Sequence, residues 1–578
     1  METRSPAVVS LKRSALPNIW DFIALVFVFG LFTLIVAGSS GLNMPLPSVE
    51  NESLSLDYMN LPYYALRTSL RMFAAILASL LFTFTYATWA AKSRRAEIVL
   101  IPLLDVLQSV PVLGFLSFTV TFFLGLFPGS VLGAECASVF AIFTSQAWNM
   151  AFSFYQSLRT VPQDLEEVSR SFQLSSWQKF WKLETPFAMP GLIWNTMMSM
   201  SGGWFFVVAS EAITVGDTTI KLPGVGSYLA AAIDAKRVDA VIAAVVTMLL
   251  VIIIYDQLLF RPIVAWGNKF KVELSASQNI SSSWVQDIFR RTRLLHIIAH
   301  PLNLLCGHIS FWRLELPKSN FGLPRTSARL SRAIDVFWFI TILMIVGWSL
   351  WMIIDYVSAD LAWTDLLDAC LQTMVTMVRV VALMALATVI WVPISIWIGL
   401  RPRIAERVQP LAQFLAAFPV NVVFPIAVIV ILNHHLDPNI WLSFLIVFGT
   451  QWYIVFNVIA GASAFPNDLR EVVANLRVRG LDWWTKVILP GIFPYYFTGA
   501  LTASGGSWNA AIVAEYVKWG DDKLTAYGIG SYIAHATETG DYPRIVLGVA
   551  VMSVFVILFN RLLWRPMFRF AERRLRLS

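Results

Sequence analysis

The chain has 578 residues, of which 57% are hydrophobic and 14% charged, and it carries a formal net charge of +7. This is too apolar for two or three water-soluble domains. A spanning helix takes about 20 mostly apolar residues, so roughly a dozen fit with room for one polar insertion. Cys136, Cys306 and Cys370 have no metal or redox spacing, the six histidines form no HExxH, and there is no GxxxxGK[ST] phosphate loop. Any nucleotide energy must therefore come from another chain.

In chain order, apolar segments fall near 18–38, 64–92, 98–127, 131–155, 187–214 and 238–260, then near 333–355, 367–399, 404–432, 438–461, 491–516 and 543–563. The first follows Lys12 and Arg13 and is longer than a signal-peptide core, so it reads as a retained span. Segment 39–63 holds Glu50, Glu52 and Asp57 without a basic residue, Lys92, Arg94 and Arg95 crowd the next turn, and the tail 564–578 has five Arg against one Glu. Basic residues collect on the cytoplasmic side, which predicts both termini inside. Between the sixth and seventh spans, 261–332 has eleven basic and three acidic residues, a net +8. Its stretch from Trp284 to Trp312 fits either a helix lying on the anionic inner leaflet or a solvated connector.

The second half repeats the first. Pro162-Gln-Asp-Leu-Glu-Glu-Val recurs as Pro466-Asn-Asp-Leu-Arg-Glu-Val at an offset of 304. The same offset relates Pro186 to Pro490, Trp204 to Trp508, Glu211 to Glu515, Gly224 to Gly528 and Arg261-Pro262 to Arg565-Pro566, while Arg71, Pro102 and Pro111 pair with Arg379, Pro410 and Pro419 at 308. Such self-similarity indicates duplication. The predicted architecture is an all-α polytopic membrane protein of about twelve spans in two parallel six-helix repeats, 1–260 and 333–578, joined by the linker 261–332.

In each half the loop after the fourth span, 158–186 and 462–490, alternates polar and apolar residues at helical spacing and ends at proline. It resembles the EAA loop of ABC-importer permeases, with Glu167 and Glu471 each nineteen residues before Pro186 and Pro490. The Leu-Pro-x-x-x-Pro ending and the later Gly-Val-Gly and Gly-Ile-Gly resemble the nitrate, sulfonate and taurine class, and the fusion resembles its duplicated anion-permease branch. The family's Ala-Ala is Val168-Ser169 and Val472-Val473 here, and its loop glycine is Gln173 and Arg477, which leaves the turn between two short helices in question.

The resemblance implies type I importer-like transmembrane domains in a bacterial cytoplasmic (inner) membrane. It implies two ATP-binding cassette subunits as partners and an extracytoplasmic solute-binding protein. No catalytic residue, cofactor, metal or nucleic acid is implied. Contact with the ATPases falls on Glu167, Ser171, Phe172, Gln173, Trp177 and Pro186, and on Glu471, Asn475, Leu476, Arg477, Gly480 and Pro490.

Intramembrane ionisable residues are costly and so mark candidate sites. Arg71 with Glu211, and Arg379 with Glu515, reach similar depth, predicting a structural clamp or part of an outer gate in preference to contact with an anion. Gly202 and Trp204, with Gly506 and Trp508, sit mid-way along the fifth spans and suit either helix packing or the lining of a solute path. The solute is expected to be a small anion such as nitrate, a sulfonate, taurine or bicarbonate. An ion-gradient-driven secondary transporter or a membrane scaffold are the alternatives.

Overall fold

A computed structural model describes residues 54–110, 112–215, 218–270, 284–292, 328–463 and 467–564, together with isolated neighbouring positions and parts of 20–36. The expected first span and most of the basic linker thus lie largely outside the described residues. The chain divides into two compact units. One comprises 1–40, 160–193 and 254–321, and the other 41–159, 194–253 and 322–578.

Among the described residues, the larger unit is helical apart from two short hairpins and the connecting turns. Helix α1 (Leu61–Phe82) buries Tyr64, Arg67, Thr68, Arg71, Met72, Ala75, Ile76 and Ser79, a stripe at helical period. It packs on α4 (Val131–Arg159). Between them lie α2 (Arg94–Ser109) and α3 (Leu116–Leu126).

The expected single span 98–127 is therefore two helices. Val110, just before Pro111, is extended (φ −76°, ψ 126°), because a proline sterically disfavours the α region for the residue before it. The second half breaks at the equivalent place: Phe418 (φ −73°, ψ 127°), before Pro419, separates α12 (Pro402–Ala417) from α13 (Phe424–Asn433) and splits the expected 404–432. Among the described residues, six helices are long and apolar enough to cross a membrane: Tyr58–Lys92, Val238–Gly267, Val336–Asp360, Trp363–Gly399, Pro438–Ser463 and Tyr542–Trp564.

The remaining elements of the first half are α5 (Gln163–Ser171), α6 (Thr185–Glu211), hairpin β1–β2 (Ala212–Val215, Thr218–Lys221), α7 (Val225–Asp234) and α8 (Val238–Tyr255). Helix α9 (Trp284–Arg291) follows in the linker. The second half runs α10 (Ala328–Asp360), α11 (Trp363–Gly399), then α12 and α13, α14 (Pro438–Phe448), α15 (Gln451–Ser463), α16 (Asn467–Asn475) and α17 (Leu489–Ala514). Hairpin β3–β4 (Tyr516–Trp519, Asp522–Thr525), α18 (Ile529–Thr539) and α19 (Tyr542–Phe559) complete it. Helix α17 packs on α14 and α15, and α11 on α15.

The hairpins were not foreseen. Both are antiparallel, pairing Ala212 with Lys221 and Tyr516 with Thr525, and both turn the end of an expected fifth span away from helix. Local geometry also repeats: wide five-residue-bonded turns at Asp256–Phe260 and Asn560–Trp564 are 304 residues apart, as are those ending at Glu184 and Ile488 to within a turn residue. Each ends two residues before a proline, and a proline, lacking N–H and crowding the carbonyl one turn back, loosens the bonding there. The turns 127–130 and 434–437 are both four residues long, so the shift from offset 308 to 304 lies in the helix ends beside them: α3 ends one residue later and α4 begins three residues earlier than α13 and α14 do in register.

Candidate functional site

Three features were singled out by the sequence: buried ion pairs, the middle of the fifth-span helices, and the proline-ended loops. In the first half, Arg71 lies between two carboxylates. Its Nε and Nη2 donate to Glu135 at 2.6 and 2.8 Å, and its Nη1 donates to Glu211 at 2.7 Å. Arg67 adds a 2.6 Å contact to Glu135.

All four side chains are buried, Glu211 completely. Among the described residues two cations meet two anions here, and the pairing offsets the large cost of removing each charge from water. Glu211 also accepts from Thr68 Oγ1 and from the Gly226 amide, both at 2.7 Å. That amide belongs to the first turn of α7, where unpaired N–H groups and the helix dipole favour an anion. A Cβ on Gly224 would sit 2.3 Å from the Glu211 carboxylate, so a side chain there is excluded.

The second half builds the same clamp with fewer charges. Arg379 Nη1 donates to Glu515 Oε1 at 2.5 Å, Thr376 Oγ1 at 2.8 Å, and the Gly530 amide of α18 reaches Oε2 at 2.7 Å. Thr68 and Thr376 each accept a following amide, Val225 or Ile529, at 3.0 Å. The expected pairs Arg71–Glu211 and Arg379–Glu515 thus both form. Glu135 and Arg67 were missed, although an acid in an apolar span was signal enough. The Gly-Val-Gly and Gly-Ile-Gly stretches acquire a physical reason: they bring a helix N-terminus onto a buried carboxylate.

The fifth-span positions are less symmetric than expected. A Cβ on Gly202 or Gly505 would meet open space, whereas one on Gly506 would lie 2.9 Å from Thr450 Cγ2. Trp204 and Trp508 are each 1% exposed, so both indoles are packing residues and not an exposed lining. Ser201 is hydrogen-bonded to Tyr453, Asn421 Nδ2 donates to the Phe205 carbonyl at 3.1 Å, and the Val112 amide donates to Asn509 Oδ1 at 2.9 Å. The same face of each fifth helix therefore meets the other half. On α6 that face carries Trp194, Met198, Ser201 and Phe205, with Trp194 stacked on Phe456. On α17 the equivalents are Thr498, Thr502, Gly505 and Asn509, a polar face with Thr498 and Gly505 exposed.

The loops keep their turn without the glycine. Gln173 and Arg477 both adopt positive φ, 50° and 52°. The Leu174 amide donates to the Ser169 carbonyl at 3.1 Å and Val478 to Val473 at 3.2 Å, the ending of a helix closed by a left-handed residue. Beyond it, Ser175 and Gln178 form a reciprocal cap in the first loop, while the second has Gly480 at φ 65°. Glu167, Ser171, Glu471 and Asn475 are exposed, Trp177 is half-buried, and Pro186 and Pro490 lie in the first turn of α6 and α17. Phe172 and Leu476, at equivalent positions, are 74% and 71% exposed. Lys179 binds Glu166 at 2.9 Å and Glu184 at 3.4 Å. Partial burial opposes its charge, but the two carboxylates raise its pKa.

Residues 83–260 and 391–576 each match the family of binding-protein-dependent transport system inner membrane components. The chain belongs to that family. One match falls in each half of the chain, so it is a duplicated inner membrane component and a multi-pass membrane protein. It is 30% identical over 191 residues to the bicarbonate transport system permease protein CmpB of Synechococcus elongatus, covering 33% of this chain and 65% of that one. The nitrate import permease protein NrtB of Leptolyngbya laminosa is 28% identical over the same shares. The glycine betaine/proline betaine permease ProW of Salmonella typhimurium is 28% identical over 39% of this chain and 60% of that protein. The chain thus spans somewhat under two thirds of the length of these relatives.

Proposed function

We propose that the chain is the transmembrane permease subunit of an ABC importer, contributing both halves of the pathway for a small solute. Two separate ATP-binding subunits would drive it, and an extracytoplasmic solute-binding protein would load it. The observation that carries this reading is the pair of loops, in which two sequences that differ at most positions keep the same left-handed turn and the same exposed apolar residue, Phe172 or Leu476. An apolar side chain held out at a fixed point on a short helix suits insertion into a partner's groove. The bicarbonate and nitrate relatives favour a small anion as solute. Hydrolysis belongs to the partners in this reading, and both termini face the cytoplasm.

The buried Arg–Glu groups act as structural clamps, since their charges are already satisfied. The solute path runs along the polar face Thr498, Thr502, Gly505 and Asn509 of α17 and past Gly202. Cysteines placed at 171–180 and 475–484 should cross-link to a co-purified ATPase in a nucleotide-sensitive way, and loss of every such cross-link would sink the assignment. Reconstituted uptake of nitrate and bicarbonate should require the ATPase and ATP. Uptake driven by an ion gradient alone would favour a secondary transporter.

A further inference from the structure

The hairpin of the second repeat reaches the first repeat. At the tip of β3–β4, the Gly520 amide donates to the Ile233 carbonyl at the end of α7 at 3.0 Å. Two residues on, Asp522 Oδ2 pairs with Lys236 Nζ, also at 3.0 Å. The contact is shaped on both sides. Gly520 has φ 57°, the left-handed region that favours glycine, and a Cβ there would lie 2.1 Å from Lys236 Cε, so a side chain would push the lysine stem off the turn. Lys236 itself takes φ 53° just past α7, where its charge also faces the negative end of that helix dipole.

The strengths of the contacts around this tip are unequal. At its base the hairpin is tied to its own repeat by buried Glu515, whose backbone carbonyl accepts from Ala526 at 2.9 Å and whose carboxylate holds α18 and Arg379. At its tip, Lys236 and Asp522 are 43% and 54% exposed, and a solvated pair of that kind contributes little to stability. A rigidly based arm thus ends in a weak, specific contact with the other half. At the offset of 304, Thr218 and Gly540 stand where Asp522 and Lys236 do, so no charge pair is possible on the reciprocal side.

We propose that Gly520–Asp522 and Ile233–Lys236 form a latch between the repeats whose ion pair exists on one side only, closed in this conformation and released when the outer end of the pathway opens. The proposal rests on the importer reading, so its test reads nucleotide trapping separately. The Lys236→Cys/Asp522→Cys variant of the complete complex is treated with a short bifunctional thiol reagent, at rest and after trapping with ATP and vanadate. Cross-linking should fall at least tenfold in the trapped state. Equal cross-linking with nucleotide demonstrably trapped overturns the latch, and failure to trap any nucleotide overturns the importer reading and the latch with it. Asp522→Lys alone should raise basal ATP hydrolysis at least threefold, and the exchanged pair Lys236→Asp/Asp522→Lys should restore it. Equal rates in the two would also overturn the latch.

Discussion

The two repeats enclose the same buried clamp at different charge. The first uses Arg67, Arg71, Glu135 and Glu211. The second uses Arg379 and Glu515. At the corresponding positions Val375 stands for Arg67, by the offset of 308, and Asn439 for Glu135, by that of 304. One cation and one anion are exchanged together, and neutrality survives. Asn439 has found other work, accepting from the Tyr527 amide at 2.9 Å. The difference teaches that net charge inside the bundle is constrained while the number of charges is not, because the cost lies in an unpaired charge.

That comparison can be broken most severely by removing one charge from the larger cluster. Glu135→Gln removes the carboxylate that Arg67 and Arg71 share, and a loss of about 3–5 kcal/mol is expected from breaking a buried pair on one side, read by thermal unfolding of the purified complex. The double substitution Arg67→Val/Glu135→Asn, which writes the second repeat's pattern into the first, should cost less than Glu135→Gln, since Arg67 leaves with its carboxylate and only the Arg71 donors lose an acceptor. A double variant as unstable as Glu135→Gln would refute the neutrality argument.

Gly224→Ala and Gly528→Ala come next. Each Cβ would meet a carboxylate at 2.3–2.6 Å, and overpacking of this kind costs about 1–3 kcal/mol. The two losses should be equal despite the unequal charge counts, because the clamp around Glu211 and Glu515 is the same; unfolding midpoints of the two variants decide it.

Gln173→Gly and Arg477→Gly act in the opposite sense. A left-handed residue with a Cβ is strained by about 1–2 kcal/mol, partly offset by glycine's greater freedom in the unfolded chain. A gain of up to about 1 kcal/mol is expected for each, without loss of ATPase cross-linking. Destabilisation by either would mean that the side chain itself holds the turn.

The smallest effect is at the surface of α18. Partial burial pushes the Glu538 carboxyl up, but hydrogen bonds from Lys518, Tyr516 and Lys523 outweigh it and bring its pKa down to about 2. A depressed carboxylate contributes stability above its ordinary pKa, near 4.3, and loses it as pH falls toward 2. Its first-repeat counterpart, Asp234, pairs with Lys221 at 3.0 Å. Glu538→Gln should flatten the dependence of stability on pH between about 4.3 and 2, and an unchanged slope would rule the cluster out as its source.

Much of this was legible in residue order. Arg71, Arg379, Glu211 and Glu515 stand out because ionisable groups in apolar runs are costly, and the repeat made them equivalent. The broken helices at 110–111 and 418–419 were also readable, since each stands before a proline, yet hydropathy alone merges the pieces into one span. The hairpins escaped because Ala212–Val215 continues an apolar run whose departure from helix depends on Glu211 being held by α7. The αL turn at Gln173 and Arg477 could not be read from residue type, because neither prefers that conformation; the closing hydrogen bonds and the surrounding loop impose it.

Composition, charge bias and the offset of 304 by themselves determined a duplicated, many-helix membrane chain with two proline-ended loops. Those properties follow from the cost of burying polar groups in hydrocarbon and from periodicity, both of which act locally along the chain. Only the tertiary structure decided that Arg67 and Glu135 join the first clamp, that the exposed polar face belongs to α17 and not α6, and that the tip of one hairpin is tied to the other repeat by an ion pair. These depend on distances between residues far apart in sequence, and duplication makes two halves alike in pattern without making them alike in contact.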